Sequence, residues 1–150
     1  MSVRLQFSTE NAFDSAVIRW YTLSSVSHVD FVMDNGTLLG ARTDGGVLDR
    51  EPNYARFSHV IRAEVDCLDD VRNKVYAFAV CQLGKPYDWR SIEAMALPWT
   101  NLRERQAWFC SELVAAAFES AGYPLVNAMK AGNRITPQDV LESVRVRVVK

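Results

Sequence analysis

The sequence has few of the residues that metal sites and disulfide frameworks need. It contains two histidines and three cysteines in 150 residues, and neither a CxxC nor an HExxH spacing occurs, so no zinc site is predicted. The number of cysteines is odd, and the first residues lack the apolar core of a secretory signal. Both observations argue against a disulfide framework. The seven glycines are scattered and form no phosphate-binding loop. We therefore expect neither a metal nor a cofactor.

The chain also lacks an excess of charge and a long apolar run. The net charge is −1, and the basic residues Arg103 and Arg105 are interrupted by Glu104, so a nucleic-acid partner is not expected. No stretch approaches the length of a membrane span, and membrane contact is not predicted. We expect a cytoplasmic protein that reaches the cell envelope only if another route delivers it. With 49% hydrophobic residues, the chain suffices for a single domain over residues 1–150.

What the sequence does contain is a regular succession of strand and helix patterns. Alternating hydrophobicity predicts strands at 3–7, 28–33, 38–43, 47–48, 58–65 and 146–148. Helical spacing and start signals predict helices at 9–21, 69–82, 88–96, 110–121 and from 136 onward, with an irregular excursion over 98–105. Asn35–Gly36 between two strand patterns indicates a hairpin. These patterns together predict an α+β fold, an antiparallel sheet flanked by helices.

The residues from 108 to 118 are the most informative stretch. Apolar residues recur there at helical spacing, and Gly122 and Pro124 follow where a helix is expected to stop. Cys110 falls in or beside the first turn, where unpaired N–H groups and the helix dipole favour a thiolate. Cysteine hydrolases mount their nucleophile in this way. The alternative interpretation is a small buried cysteine that only packs.

A cysteine nucleophile needs a histidine partner, and the chain offers His28 and His59. The next residue on the same strand face as His28 is Asp30, so this face is partly polar and can border a cleft. His59 shares its face with apolar residues, which is typical of a core position. We therefore predict that His28 is the partner of Cys110. Cys67 and Cys81 are interpreted as packing residues.

The group that orients the imidazole is less obvious. If Asn35 and Gly36 form a two-residue turn, Met33 faces Leu38 and His28 faces Thr43, whose hydroxyl can accept a hydrogen bond from the ring. Asp30 is a more polar but less well-aimed alternative, and Asp44 and Glu64 lie further back. An oxyanion hole can come from the backbone N–H of Cys110 and one neighbouring donor. The hydroxyl of Tyr87 is a candidate for that donor.

Three stretches together resemble a known family. They are His28 on a hairpin strand, Gly-Lys-Pro-Tyr-Asp-Trp at 84–89 and Trp-Phe-Cys-Ser-Glu-Leu-Val at 108–114. Their order is similar to that in the NlpC/P60 superfamily of papain-like cysteine peptidases, in its circularly permuted, YiiX-like branch. The resemblance implies a papain-like fold with Cys110 as nucleophile and His28 as base. Relatives often carry an acid near the position of Gly40–Ala41, and this chain has none there.

We assign the site on that basis. Cys110, His28 and Thr43 are the predicted catalytic residues, and Tyr87, Ser111 and Asp30 are predicted to bind substrate. The resemblance implies an amide hydrolase, most plausibly of peptidoglycan stem peptides in a bacterial or phage setting. One alternative is a lipid-directed acyl hydrolase or acyltransferase using the same residues, with the apolar stretch 97–99 facing the lipid. The other alternative is a non-catalytic binding module of the same fold.

Overall fold

The strands that the alternating pattern predicts pair into one antiparallel sheet. The computed structural model describes residues 1–10, 25–88, 109–127 and 135–150. Within them the strands are β1 (Ser2–Glu10), β2 (His28–Val32), β3 (Leu38–Arg42), β4 (Gly46–Arg50), β5 (Phe57–Asp66) and β6 (Arg147–Val149). The helices are α1 (Asp69–Cys81), α2 (Cys110–Ser120) and α3 (Pro137–Leu141). The predicted α+β class is confirmed.

Some predictions fall outside these residues. Most of the helix predicted over 9–21, most of that over 88–96, and the excursion over 98–105 with the apolar stretch 97–99 lie there. One boundary was wrong. The first strand continues to Glu10, past Ser8 and Thr9, where the sequence predicted the start of a helix.

The described strands form a six-stranded sheet in the order β4-β3-β2-β1-β5-β6. The central position of β1 explains its burial: five of its residues, Arg4 to Ser8, pair with both neighbouring strands, and Ser8 lies opposite His28 in β2 and opposite Val60 in β5. Val3, Leu5 and Phe7 are fully buried. Because β1 pairs with β2 along its length, it fixes the position of the strand that carries His28.

The β2–β3 hairpin has a different register from the predicted one. Val32, not Met33, pairs with Leu38. The loop is longer by one residue because Met33 N–H donates to the Thr37 carbonyl oxygen and Gly36 takes a left-handed conformation with φ 89°. A shift of one residue turns every side chain of β3 to the other face relative to the prediction. Continued along β3, the observed register brings Gly40 beside Asp30.

Helix α2 packs against β2 and β3 and against α1. Its side chains are buried almost all round, since the helix lies between the sheet and the other helices. Large core residues from the helix and the sheet form one cluster: Phe7, Phe31, Phe109, Leu113, Val114 and Phe118. The start of α2 is therefore fixed on several sides, which places Cys110 at a defined point against the sheet.

Local signals set the ends of the other helices. Asp69 and Asp70 occupy the first turn of α1, where the helix dipole stabilises acidic side chains. Before α3, Thr136 and Asp139 form a capping box with Pro137 in the first turn, as the sequence predicted. After α1, the turn at Gly84–Lys85 bonds to both backbone groups of Val47. This turn ties the end of α1 to the edge strand β4.

Two further predictions did not hold. His59 was expected on a core face but is exposed, like its neighbours Ser58 and Val60 on β5. Cys81 was interpreted as a packing residue, yet it is exposed on the last turn of α1, while Cys67 is half-buried.

Candidate active site

Cys110 is the first residue of α2 and is 1% exposed. The preceding Phe109 has extended backbone angles, φ −90° and ψ 147°, and its own side chain does not cap the helix. The backbone N–H groups of the first turn have no acceptor within the helix and can donate to the cysteine sulfur or to a bound oxyanion. The position predicted for Cys110 from sequence is confirmed.

The structure brings His28 to Cys110. The two side chains are within hydrogen-bonding reach of each other, although they are 82 positions apart in the sequence. The ring also contacts Asp30, since His28 Nε2 lies 2.8 Å from Asp30 Oδ1. His28 is 8% exposed and Asp30 is 1% exposed, so the contact is shielded from water. A buried Cys110–His28–Asp30 chain results.

Electrostatic interactions favour the charged forms of both the His28 ring and the Asp30 carboxylate. Burial by itself lowers the pKa of His28, but the charges of Asp30 and Cys110 and hydrogen bonds to both raise it to about 10. Burial raises the pKa of Asp30, but its interactions with His28, Tyr54 and Arg42 outweigh this effect and hold the pKa below its usual range. At neutral pH the ring is therefore an imidazolium and Asp30 a carboxylate. The imidazolium therefore lies directly beside the Cys110 side chain.

Asp30 occupies the place that the sequence assigned to Thr43. The predicted pairing of His28 with Thr43 is wrong, because the hairpin register is shifted by one residue and Thr43 lies beyond the end of β3 at Arg42. Asp30 was predicted to bind substrate, but its carboxylate is buried against His28. The catalytic role predicted for Thr43 stays a prediction without that contact.

Gly40 explains how a carboxylate fits at this point. A Cβ at Gly40 would overlap Asp30 Oδ1, so the Asp30 side chain fills the space that a side chain on β3 would occupy. A glycine inside a strand commonly marks such a close approach. Gly40 thus leaves room for the Asp30 carboxylate beside His28.

Sequence reasoning missed Tyr54 and Arg42. Tyr54, in the loop between β4 and β5, donates its hydroxyl to Asp30 Oδ2 at 2.8 Å. The Arg42 guanidinium lies 4.6 Å from the centre of the Tyr54 ring and forms an ion pair with Glu10. No periodic pattern marks an irregular loop, so the sequence gives no signal for Tyr54.

Tyr87 and Ser111 lie beside the cysteine but differ in what they contact. The Tyr87 ring is 6% exposed and packs against Phe109, with ring centres 5.9 Å apart. Ser111 is fully buried and its hydroxyl donates to the backbone carbonyl of Ile135 at 2.5 Å. Tyr87 thus packs against the residue before Cys110, whereas the Ser111 hydroxyl anchors α2 to the segment before α3. Their substrate-binding roles stay predictions.

No family model matches this sequence, and no curated protein matches it. Among solved structures, the metalloprotein yiiX from Escherichia coli O157:H7 superposes with a TM-score of 0.75. The match covers 100% of this chain and 96% of that one. The chain has the YiiX fold. Since only 18% of the residues are identical, the likeness concerns the fold, and it agrees with the resemblance to the permuted branch at that level. In the described part of the chain, no helix has the length and apolar character that a membrane crossing requires.

Proposed function

We propose that this protein is a thiol hydrolase that cleaves an amide bond, with Cys110 as nucleophile and His28 as acid and base. The observation that supports the proposal is the buried chain Cys110–His28–Asp30 at the start of α2. A nucleophile, a base within hydrogen-bond reach and an acceptor that orients the base are the parts that covalent acyl transfer needs.

The reaction follows from these positions. The Cys110 thiolate attacks the carbonyl carbon, and the developing oxyanion lies where the backbone N–H groups of the first turn of α2 can donate to it. His28 gives its proton to the leaving nitrogen as the C–N bond breaks, which releases an amine and leaves a thioester on Cys110. Water then attacks the thioester, His28 takes the proton from that water, and the acid product leaves with Cys110 as a thiolate.

The state of His28 supports an amide rather than an ester as substrate. An amine cannot leave as an anion, so the step needs a group close to the leaving nitrogen that already carries a proton when the bond breaks. An imidazolium beside Asp30 carries that proton throughout the neutral range. The YiiX-like resemblance adds the substrate class, peptidoglycan stem peptides.

The structural neighbour yiiX is described as a metalloprotein, so a metal at this site has to be considered. Across residues 1–10, 25–88, 109–127 and 135–150, no three His, Cys, Asp or Glu side chains form a group that fits a metal ion. His28 Nε2 is already bonded to Asp30. The described residues do not fit a metal, and no step of the proposed reaction uses one.

The first test is the rate of thiol alkylation against pH, resolved by site with peptide mass spectrometry, in wild type and His28→Ala. The exposed Cys81 and half-buried Cys67 are internal references within the same molecule. We expect Cys110 to react at a lower pH than Cys81 in wild type, and His28→Ala to abolish the difference. Equal profiles for the two cysteines would contradict the hydrolase and favour a binding module.

The second test addresses the substrate. Purified stem peptides and acyl-chain esters in lipid vesicles are offered to wild type and Cys110→Ala. Release of an amine from the peptides by wild type alone supports the proposal. Release of fatty acid without peptide cleavage would instead favour the lipid-directed alternative.

A further inference from the structure

The Asp30 carboxylate has one contact for each oxygen. Oδ1 lies 2.8 Å from His28 Nε2, and Oδ2 accepts from the Tyr54 hydroxyl, also at 2.8 Å. The terminal torsion of aspartate is soft, so a carboxylate bonded through one oxygen swings over a broad range. Gly40 has no side chain to restrain it from the β3 side. Among the described residues, the second hydrogen bond is thus what fixes the plane of the carboxylate.

Tyr54 is itself held firmly for a loop residue. Arg42 and Arg50 lie over its ring with guanidinium carbons 4.6 and 5.6 Å from the ring centre. The Phe57 ring meets it edge-on at 5.2 Å. Contacts of this kind fix both the ring plane and the direction of the hydroxyl.

Arg42, which lies over the Tyr54 ring, is itself held in place by other residues. Arg42 forms an ion pair with Glu10 on β1 and another with Asp44 at 2.8 Å. It also donates a long hydrogen bond of 3.4 Å to the Tyr54 hydroxyl oxygen. The Tyr54 hydroxyl oxygen therefore accepts a hydrogen bond from Arg42 while the hydroxyl proton is donated to Asp30. These two contacts fix the direction of the O–H bond.

We propose that Tyr54 is a positioning residue that fixes Asp30 in the orientation in which it holds His28 against Cys110. This inference rests on the proposed function, since it assigns Tyr54 a role in the same reaction. The Tyr54 hydroxyl bonds to Asp30, the residue that in turn contacts His28. It acts through Asp30, and a loop between β4 and β5 thereby becomes part of the catalytic apparatus.

The charged groups that face this arrangement come from four elements. On β2 they are His28 and Asp30; the loop contributes Tyr54, β3 contributes Arg42, and α2 contributes Cys110. Loss of the Tyr54 hydroxyl removes a donor from the Asp30 carboxylate, so Asp30 protonates at a higher pH and holds the imidazolium less well. Alkylation of Cys110 then slows, because the cation beside its sulfur is held less firmly.

The test compares Tyr54→Phe with Tyr76→Phe in the alkylation assay. Tyr76 is a matched control because its hydroxyl also bonds to β2, to the Val32 carbonyl at 2.9 Å, and an arginine, Arg72, also lies over its ring at 4.9 Å. Val32 is at the other end of β2 from His28. We expect Tyr54→Phe to slow alkylation of Cys110 about two- to tenfold at neutral pH and to move its acid limb upward. Tyr76→Phe should match wild type.

A second arm separates positioning from loss of structure. If Tyr54 acts through Asp30, Tyr54→Phe has no further effect on Cys110 in an Asp30→Asn background, and the unfolding midpoints of the two tyrosine variants are alike. Identical Cys110 profiles for Tyr54→Phe and Tyr76→Phe would overturn the inference, and so would additive effects of Tyr54→Phe and Asp30→Asn. If wild type itself shows no dependence on His28, the proposed function fails instead, so the two failures are distinct.

Discussion

Gly40 lies against the carboxylate of Asp30 so closely that any side chain on Gly40 would occupy the position of Oδ1. The two residues lie on neighbouring strands, and the Asp30 carboxylate fills the space that a side chain at position 40 would need. The acid that orients His28 therefore sits on the strand of the histidine itself, and β3 contributes an empty position. A substitution at Gly40 thus acts directly on the site.

Gly40→Ala should reduce the reactivity of Cys110 towards the level of His28→Ala. The new methyl group displaces Asp30, and overpacking of this kind costs about 1–3 kcal/mol of unfolding free energy. Alkylation and urea unfolding measure the two effects. Gly36→Ala is the control: it has open space around it and a φ of 89°, so it costs about 1–2 kcal/mol through the backbone alone and leaves Cys110 unchanged. Normal reactivity in Gly40→Ala would argue that Asp30 is dispensable.

Asp30→Asn and Thr43→Val separate the two candidates for the orienting group. The amide keeps the shape of Asp30 but not its charge, so the imidazolium is no longer stabilised and turnover should fall about a hundredfold or more. Thr43→Val removes a hydroxyl of similar size and should leave turnover within about twofold of wild type. Hydrolysis of a stem peptide gives both numbers. The opposite ranking would restore Thr43 as the third catalytic residue.

The His28–Asp30 pair should make stability depend on pH. Folding raises the pKa of His28 from 6.5 to about 10, so its contribution is complete below pH 6.5 and is lost as pH rises through 10. Folding lowers the pKa of Asp30, so its contribution is present above 3.8 and is lost in acid. We expect the stability difference between wild type and His28→Gln to shrink from pH 6.5 to 10 in urea unfolding. A difference that stays constant over this range would show that the pair is not ionic.

Ser111→Ala should weaken the fold and spare the chemistry. The hydroxyl bonds to the Ile135 carbonyl, and loss of that bond costs about 0.5–1.5 kcal/mol. The alkylation profile of Cys110 and the KM for peptide should stay at wild-type values. Ser120→Ala, which removes a hydroxyl bonded only within its own helix, should change neither. A raised KM with unchanged stability would support the substrate-binding role predicted for Ser111.

The parts that could be predicted depend on local signals. Each helix start is encoded by a few neighbouring residues: α1 begins at Asp69, α2 begins at Cys110, and α3 follows the capping box of Thr136. His28 could be predicted to lie beside Cys110 because its neighbour on the same strand face, Asp30, is polar. The core face predicted for His59 was wrong, so that half of the comparison did not hold.

The orienting group could not be predicted because it depends on one residue of loop geometry. Asn35 Oδ1 accepts hydrogen bonds from both the N–H and the hydroxyl of Thr37, which stabilises a longer turn than the Asn-Gly pair alone suggests. The extra loop residue shifts the register of β3 by one residue. His28 therefore does not face Thr43, and Asp30 is the residue that contacts its ring. Tyr54 was inaccessible for a different reason: its contact with Asp30 spans 24 residues and follows no periodicity.

The distance along the chain between the members of the site has a consequence for folding. His28 and Cys110 are about eighty residues apart, so their contact is among those that close the largest loops and carry a high entropic cost before they form. In the proposed hydrolase, Cys110 has no imidazolium partner until that contact forms. Alkylation of Cys110 at the rate expected for the pair would therefore report that the sheet and α2 have docked.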